Sequence, residues 1–218
     1  MMGYMMFETR CAGCERPGAA ICTTCRIALV GRLPQTYEHG VITAVSFAGR
    51  ARDVVLSLKY RNRRQVARHL GSLLVNRLVE SGRYADLESV TWAPTSAKRR
   101  RHRGFDQGEE IARTVARQLG LPCRRLLDRR GGALAQTGLS RAERLVAPEF
   151  AARPDVAGTS VLVVDDVVTT GATLHAARDA LLQQGARDVV LAAVASTPAP
   201  GSSRSRGKVL PFGQLTAA

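Results

Sequence analysis

Apolar and β-branched residues crowd Val41 to Phe47, with Gly49 just beyond, so the pattern predicts a strand closed by a turn. Val66, Leu70, Leu73, Leu74 and Leu78 then recur at helical spacing, one apolar stripe on a helix that Gly82 can end. Ser89 to Ala93 reads as a short strand stopped by Pro94, which lacks the amide hydrogen that a continuing ladder needs. A basic loop, Lys98 to Arg103, follows. Asp106 with Glu109 three residues on has the form of a helix start; Ile111, Val115 and Leu119 continue the helix, and Gly120 marks its end.

The second half repeats the alternation. Leu126 to Arg144 contains Gly131-Gly132 among scattered arginines and is expected to form a mobile arm. Val161 to Val164 is a continuous β-branched run, the pattern of a strand buried on both faces. Leu174, Ala177 and Leu181 line one side of a helix that Gly185 ends, and Val189 to Val194 is a second buried strand. Strand, helix and strand with short connections make a parallel crossover, which places the loop after Val164 at the carboxyl end of the sheet, where such folds bind ligands. Beyond Ser196 the chain carries Pro198, Pro200, Arg204, Arg206 and Lys208 with little to bury, and disorder is expected. These elements predict an α/β domain over residues 41–196, a parallel sheet flanked by helices. A small amino-terminal module lies before it (1–40) and a basic tail after it (197–218).

At 218 residues and 45% apolar content the chain can bury one substantial core. No run approaches the roughly 20 apolar residues of a membrane-spanning helix, and Met1 to Phe7 shows neither a basic leader nor a long apolar stretch, so membrane insertion is not expected and a cytoplasmic location is. The net charge of +14 favours anionic partners, either nucleic acid or a small phosphorylated ligand, and does not choose between them. All basic residues except Lys59, Lys98 and Lys208 are arginine, a bias that codon composition could produce without selection for binding, and the charge reads equally as a solvated basic surface or a nucleic-acid footprint.

Four of the five cysteines form two Cys-x-x-Cys pairs, Cys11 with Cys14 and Cys22 with Cys25. Four thiolates on two tight turns, joined through a short loop with Pro17, Gly18 and Ala19, are what a closed tetrahedral zinc site requires. A redox dithiol, reduced free thiols and iron on the same ligands are the other readings. Cys123, alone among apolar neighbours, is expected to pack.

The most specific segment is Val161-Leu-Val-Val-Asp-Asp-Val-Val-Thr-Thr-Gly-Ala-Thr-Leu174. Four apolar residues deliver Asp165 and Asp166 to the strand end, and a Thr/Gly turn then opens a helix. Backbone amides across Val168, Thr169, Thr170, Gly171, Ala172 and Thr173 would form a nest for a 5-phosphate, helped by the helix dipole and the threonine hydroxyls. Gly171 lets the backbone approach that phosphate without a Cβ in the way. The two carboxylates suit the hydroxyls of a ribose and would stabilise positive charge developing at its anomeric carbon.

That segment resembles the phosphoribosyl pyrophosphate signature of type I phosphoribosyltransferases, and the wider chain resembles the ComF family of competence-associated proteins. The further landmarks are the cysteine module, Leu58-Lys59-Tyr60, Ala93-Pro94-Thr95 leading to Arg103-Gly104-Phe105-Asp106-Gln107, then Ala135-Gln136-Thr137, Leu139, Arg141 and Arg144, covering residues 11 to about 196. Asp106 stands where the family usually has Asn, a change compatible with a helix start, and the cysteine module is shorter than in many relatives. The resemblance implies a type I phosphoribosyltransferase-like fold with a small four-cysteine zinc module. It implies that Pro94, Thr95 and Ser96 begin a pyrophosphate loop with Arg103 nearby, and that Arg129 to Arg144, with Gln136, Arg141 and Arg144, form an arm over the site. It also implies phosphoribosyl pyrophosphate with Mg²⁺ as ligand and transfer to an unidentified nitrogen nucleophile, with Asp165, Asp166 and Arg103 doing the chemistry. A non-catalytic role in DNA uptake, with single-stranded DNA or DNA-processing proteins as partners, is the alternative it leaves open, and a regulator of nucleotide metabolism is a third. Oligomerisation stays open.

Overall fold

The computed structural model describes residues 9–30, 40–60, 64–130 and 148–197. Its elements, in chain order, are α1 (Thr23–Val30), β1 (Ile42–Ser46), α2 (Gly49–Tyr60), α3 (Arg64–Glu80), β2 (Ser89–Trp92), α4 (Ala97–Arg103), α5 (Gln107–Leu119), β3 (Leu127–Arg129), β4 (Phe150–Ala152), β5 (Ser160–Val168), α6 (Ala172–Gln183) and β6 (Asp188–Ser196). The sheet runs β1-β6-β5-β2, and every pair in it is parallel.

Both faces of this sheet are covered, which is why its strands read as unbroken apolar runs. Along β5, Leu162 and Val164 point into the core under α3 and α5, while Val161 and Val163 point into the core under α6 and the β3-β4 hairpin. β6 alternates in the same way, Val190, Ala192 and Val194 to the first core, Val189, Leu191 and Ala193 to the second. α3 and α5 pack closely because Gly71 has no side chain; a Cβ there would lie 2.7 Å from Thr114 Cγ2. The cysteine segment joins the first core through Cys11, Ile21, Cys25 and Leu29.

Four elements differ from the sequence expectation. The turn at Gly49 instead begins a helix, α2, which buries Val54, Val55 and Leu58. The basic loop is a helix, α4: the Ser96 hydroxyl caps it by accepting from the Arg99 amide at 3.3 Å, and Gly104, at φ 76°, stops it. Its side chains bury nothing, so no apolar period could signal it. The expected arm starts as a strand, since Leu127–Arg129 pairs antiparallel with Phe150–Ala152. Finally, β5 continues through both aspartates to Val168 because β6 pairs with it as far as Ser196. Residues 131–147, which hold Gln136, Arg141 and Arg144, and most of the tail, 198–218, lie outside the described residues. Among the described residues no helix is long and apolar enough to cross a membrane.

Candidate functional site

The register of the two neighbouring strands builds the site. Trp92 on β2 lies opposite Val164 on β5, and the Ala93 amide still donates to the Val164 carbonyl at 3.1 Å. Beyond that bond the strands part, Pro94 on one side and Asp165 on the other. A cleft of about 200 Å³ opens there, lined by Pro94, Thr95, Arg99, Arg103, Gln107 and Arg129 on one side and Asp165, Asp166 and Thr173 on the other. A smaller recess of about 30 Å³ adjoins it, sharing Asp165 and Thr173 and lined also by Val168, Thr169 and Gly171.

The structure thus brings together both aspartates, Arg103, Pro94 and Thr95 in the cleft and Val168, Thr169, Gly171 and Thr173 in the recess. Asp165 Oδ1 accepts the Asp166 amide at 2.7 Å, and both residues are half-buried. Gly171 takes φ 78°, a left-handed conformation suited to glycine, and α6 starts there with no side-chain cap. The first bond of that helix runs from the His175 amide to the Gly171 carbonyl at 2.9 Å, so the amides of Thr173 and Leu174 precede the intrahelical ladder. Thr170 is exposed, and its hydroxyl accepts from the Ala172 amide at 3.4 Å. Thr170, Ala172 and Ser96 are not in the walls of either cavity.

Three residues of the cleft make contacts that local pattern does not show, Asp106 among them although its place at a helix start is expected. Asp106 caps α5 and reaches across the site: Oδ1 accepts from Gly108 N at 3.0 Å, and Oδ2 accepts from the Thr95 amide at 2.9 Å. One carboxylate therefore fixes the start of the loop after β2 to the start of α5. Each carboxylate oxygen takes one of the two backbone donors, whereas an asparagine here would have to accept both on its single amide oxygen. Arg129, at the end of β3, reaches the Pro94 carbonyl at 3.4 Å and lies over the Phe150 ring, 5.8 Å from its centroid. Burial, and then Arg99, push its guanidinium below the ordinary value, while Asp165 and Asp106 oppose that shift. Arg99 comes from the turn of α4 that faces the cleft. Three arginines and three carboxylates thus share one small volume, a suitable environment for a ligand anionic at its ends and cationic in the middle as it reacts.

The cysteine module is a second, separate centre. The sulfur atoms of Cys11, Cys14, Cys22 and Cys25 all lie within 4.8 Å of one another, with Cys14 and Cys22 at 3.7 Å. Tetrahedral zinc with its usual sulfur bonds sets ligand sulfurs about 3.8 Å apart, so the four fit such an ion. Burial alone would raise the Cys11 thiol, but the backbone amides of Cys22, Gly13 and Cys14 bring it down to about 6. Burial, and then the neighbouring sulfurs, push Cys25 up instead. Four thiolates do not share this space without a cation among them. Gly13 permits the turn, since a Cβ there would stand 2.9 Å from Cys25 Sγ.

Residues 106–209 match the phosphoribosyl transferase domain family. Over 210 residues, 86% of this chain and 89% of the relative, the sequence is 25% identical to the DNA utilization protein YhgH of Escherichia coli O6:H1. These matches support the resemblance to the ComF family. A second relative, the DNA utilization protein YhgH of Salmonella typhi, is 29% identical over 142 residues, 62% of this chain and 63% of that one. Among solved structures, phosphoribosylpyrophosphate synthetase from Mycobacterium smegmatis superposes at a TM-score of 0.37 and 20% identity, covering 58% of this chain and 33% of the synthetase, too loosely to bear on activity. The parallel sheet flanked by helices and the four-cysteine cluster are those of a type I phosphoribosyltransferase-like fold with an amino-terminal metal module.

Burial raises the Asp106 carboxyl above its ordinary value, against the amides of Thr95, Glu109 and Gly108, which lower it. A carboxyl whose pKa rises on folding adds stability below its unfolded pKa of about 4, and that contribution is lost as the pH climbs through the folded value. Asp106→Asn removes this titration. In urea denaturation from about pH 3 to about pH 8, the stability of the wild type relative to the variant should therefore fall as pH rises. A relative stability that grows with pH would contradict the assignment.

Proposed function

We propose that the cleft binds phosphoribosyl pyrophosphate and supports transfer of its phosphoribosyl group to a nitrogen nucleophile. The observation that carries this reading is the meeting, at two adjacent strand ends, of the Asp165-Asp166 pair, the Thr169-to-Thr173 recess and the loop at Pro94 and Thr95. The recess is the place for the 5-phosphate, with the amides at the start of α6 and the Thr169 and Thr173 hydroxyls as donors. Asp165 and Asp166 accept from the two ribose hydroxyls. Thr95 and Arg103 face the pyrophosphate.

In the transfer the bond between the anomeric carbon and the pyrophosphate oxygen breaks, the oxygen keeping the electron pair. The nitrogen forms the new bond and gives up a proton to solvent or a base. The carboxylates stabilise the positive charge on the sugar as it develops, and the arginines stabilise the leaving anion. Mg²⁺ bound together with the pyrophosphate would supply further neutralisation of that anion. The arm residues Gln136, Arg141 and Arg144 would close over this site, and the chain would divide into a module at 1–40, this domain at 41–196 and a tail.

A second reading has its own support. The relatives carry the name of DNA utilization proteins, and α4 exposes Lys98, Arg99, Arg100 and Arg101 beside the cleft. On that reading the pocket senses or scaffolds while the protein works in DNA uptake with DNA or protein partners. Calorimetry with phosphoribosyl pyrophosphate and Mg²⁺, beside pyrophosphate release over a panel of bases and amines, separates the two. Binding with release supports transfer, binding without release supports the sensor, and no binding rejects both. Asp165→Asn combined with Asp166→Asn should weaken binding by about 10- to 100-fold with the circular dichroism spectrum unchanged; unaltered affinity would refute the ribose role.

The cysteine module we assign to one structural zinc, held by Cys11, Cys14, Cys22 and Cys25. Metal analysis of the purified protein should find about one zinc per chain, and chelation should lower its melting temperature. A metal-free protein of undiminished stability would defeat the assignment.

A further inference from the structure

Gln107 is the first residue of α5 and only 2% exposed, yet it forms part of the cleft wall. Its Oε1 accepts from Arg103 Nη1 at 2.8 Å. A guanidinium only donates, so this contact fixes which end of the amide is oxygen. The Nε2 is consequently turned away from Arg103, and it is shut from water with no acceptor among the described residues. A buried donor left without an acceptor is costly, and such groups in native proteins recur where a ligand completes them.

The surroundings say what that ligand offers. Arg99, Arg103 and Arg129 line the same end of the cleft, and the amino end of a thirteen-residue helix points there. A partner for this end is anionic and supplies only acceptors. The 5-phosphate recess is lined by other residues, at the start of α6. A ligand seated in that recess with its sugar on Asp165 and Asp166 extends its other phosphorylated end toward Gln107.

We propose that Gln107 is a binding residue for a diphosphate group, its Oε1 holding Arg103 in place and its Nε2 donating to a diphosphate oxygen. This rests on the phosphoribosyl pyrophosphate reading and adds Gln107, at the start of α5, to the diphosphate end assigned there to Thr95 and Arg103. Asp106 contributes indirectly, since its bonds to the Thr95 and Gly108 amides fix the two segments between which the diphosphate lies.

Gln107→Glu is the informative change. It keeps the shape and an acceptor for Arg103 but replaces the Nε2 donor with an anionic oxygen. Gln107→Met, which removes both contacts, serves as the second variant. Calorimetry is run on the wild type and both variants with inorganic pyrophosphate plus Mg²⁺, with phosphoribosyl pyrophosphate plus Mg²⁺ and with ribose 5-phosphate. The wild type should bind all three. Both variants should lose about 10- to 100-fold for the two diphosphate ligands while ribose 5-phosphate binds within about twofold of wild type, which also shows that the variants fold. Variants that keep diphosphate affinity overturn the proposal and leave the wider reading standing, as would an equal loss for all three ligands, the mark of a merely structural residue. A wild type that binds none of them overturns both.

Discussion

The parallel pairing of β2 with β5 is the contact on which the rest of the site depends. It continues to the bond between the Ala93 amide and the Val164 carbonyl and then ends, so two chemically different segments leave the sheet side by side. One is the Pro94 loop, forced off the ladder by an imino acid that has no hydrogen to donate. The other holds two carboxylates kept in strand geometry by β6, which pairs with β5 up to Val168. Because both faces of the sheet are packed, a slip of one residue would exchange the two cores along the strand, so the register is tightly specified. The position of the cleft follows from that register.

Within the cleft, electrostatics decide what fits. Arg99 and Arg103 come from α4 and Arg129 from β3, and Asp106, Asp165 and Asp166 line the same cavity. Several basic residues outside it form exposed pairs, such as Arg113 with Glu109 and Arg187 with Glu88, which contribute little to stability. The overall charge of +14 therefore says less about the site than these three arginines do. Asp106 is the counterweight: its buried carboxylate, in a cavity lined by those arginines, is tolerated because backbone amides from two segments point at it. The cysteine module stands apart from this chemistry and joins the domain through its own buried residues, Cys11, Ile21, Cys25 and Leu29, in the core that it shares with α2.

Much of this was legible in the chain. The strand over Val161 to Val164, the aspartate pair and the Thr/Gly turn could be read in order because burial on both faces leaves an unbroken apolar run and because ligand binding needs small residues at a fixed distance from it. The two Cys-x-x-Cys pairs could be read because four ligands must lie on tight turns. What stayed hidden depends on tertiary proximity or on capping. α4 has no apolar face and exists through Ser96 and Gly104, so a run of arginines looked like a loop. β3 has only three residues, and its partner lies beyond residues 131–147. Gln107 looks like any polar residue at a helix start; only its burial beside Arg103, across the Gly104 break between α4 and α5, gives it a role.

The most direct test of the account is a crystal structure of the protein with phosphoribosyl pyrophosphate and Mg²⁺. The predicted result places the 5-phosphate at the start of α6 between Thr169 and Thr173, the ribose hydroxyls against Asp165 and Asp166, and the diphosphate between Thr95 and Gln107. A ligand bound in the reverse orientation, or at another surface with this cleft filled only by water, would contradict it.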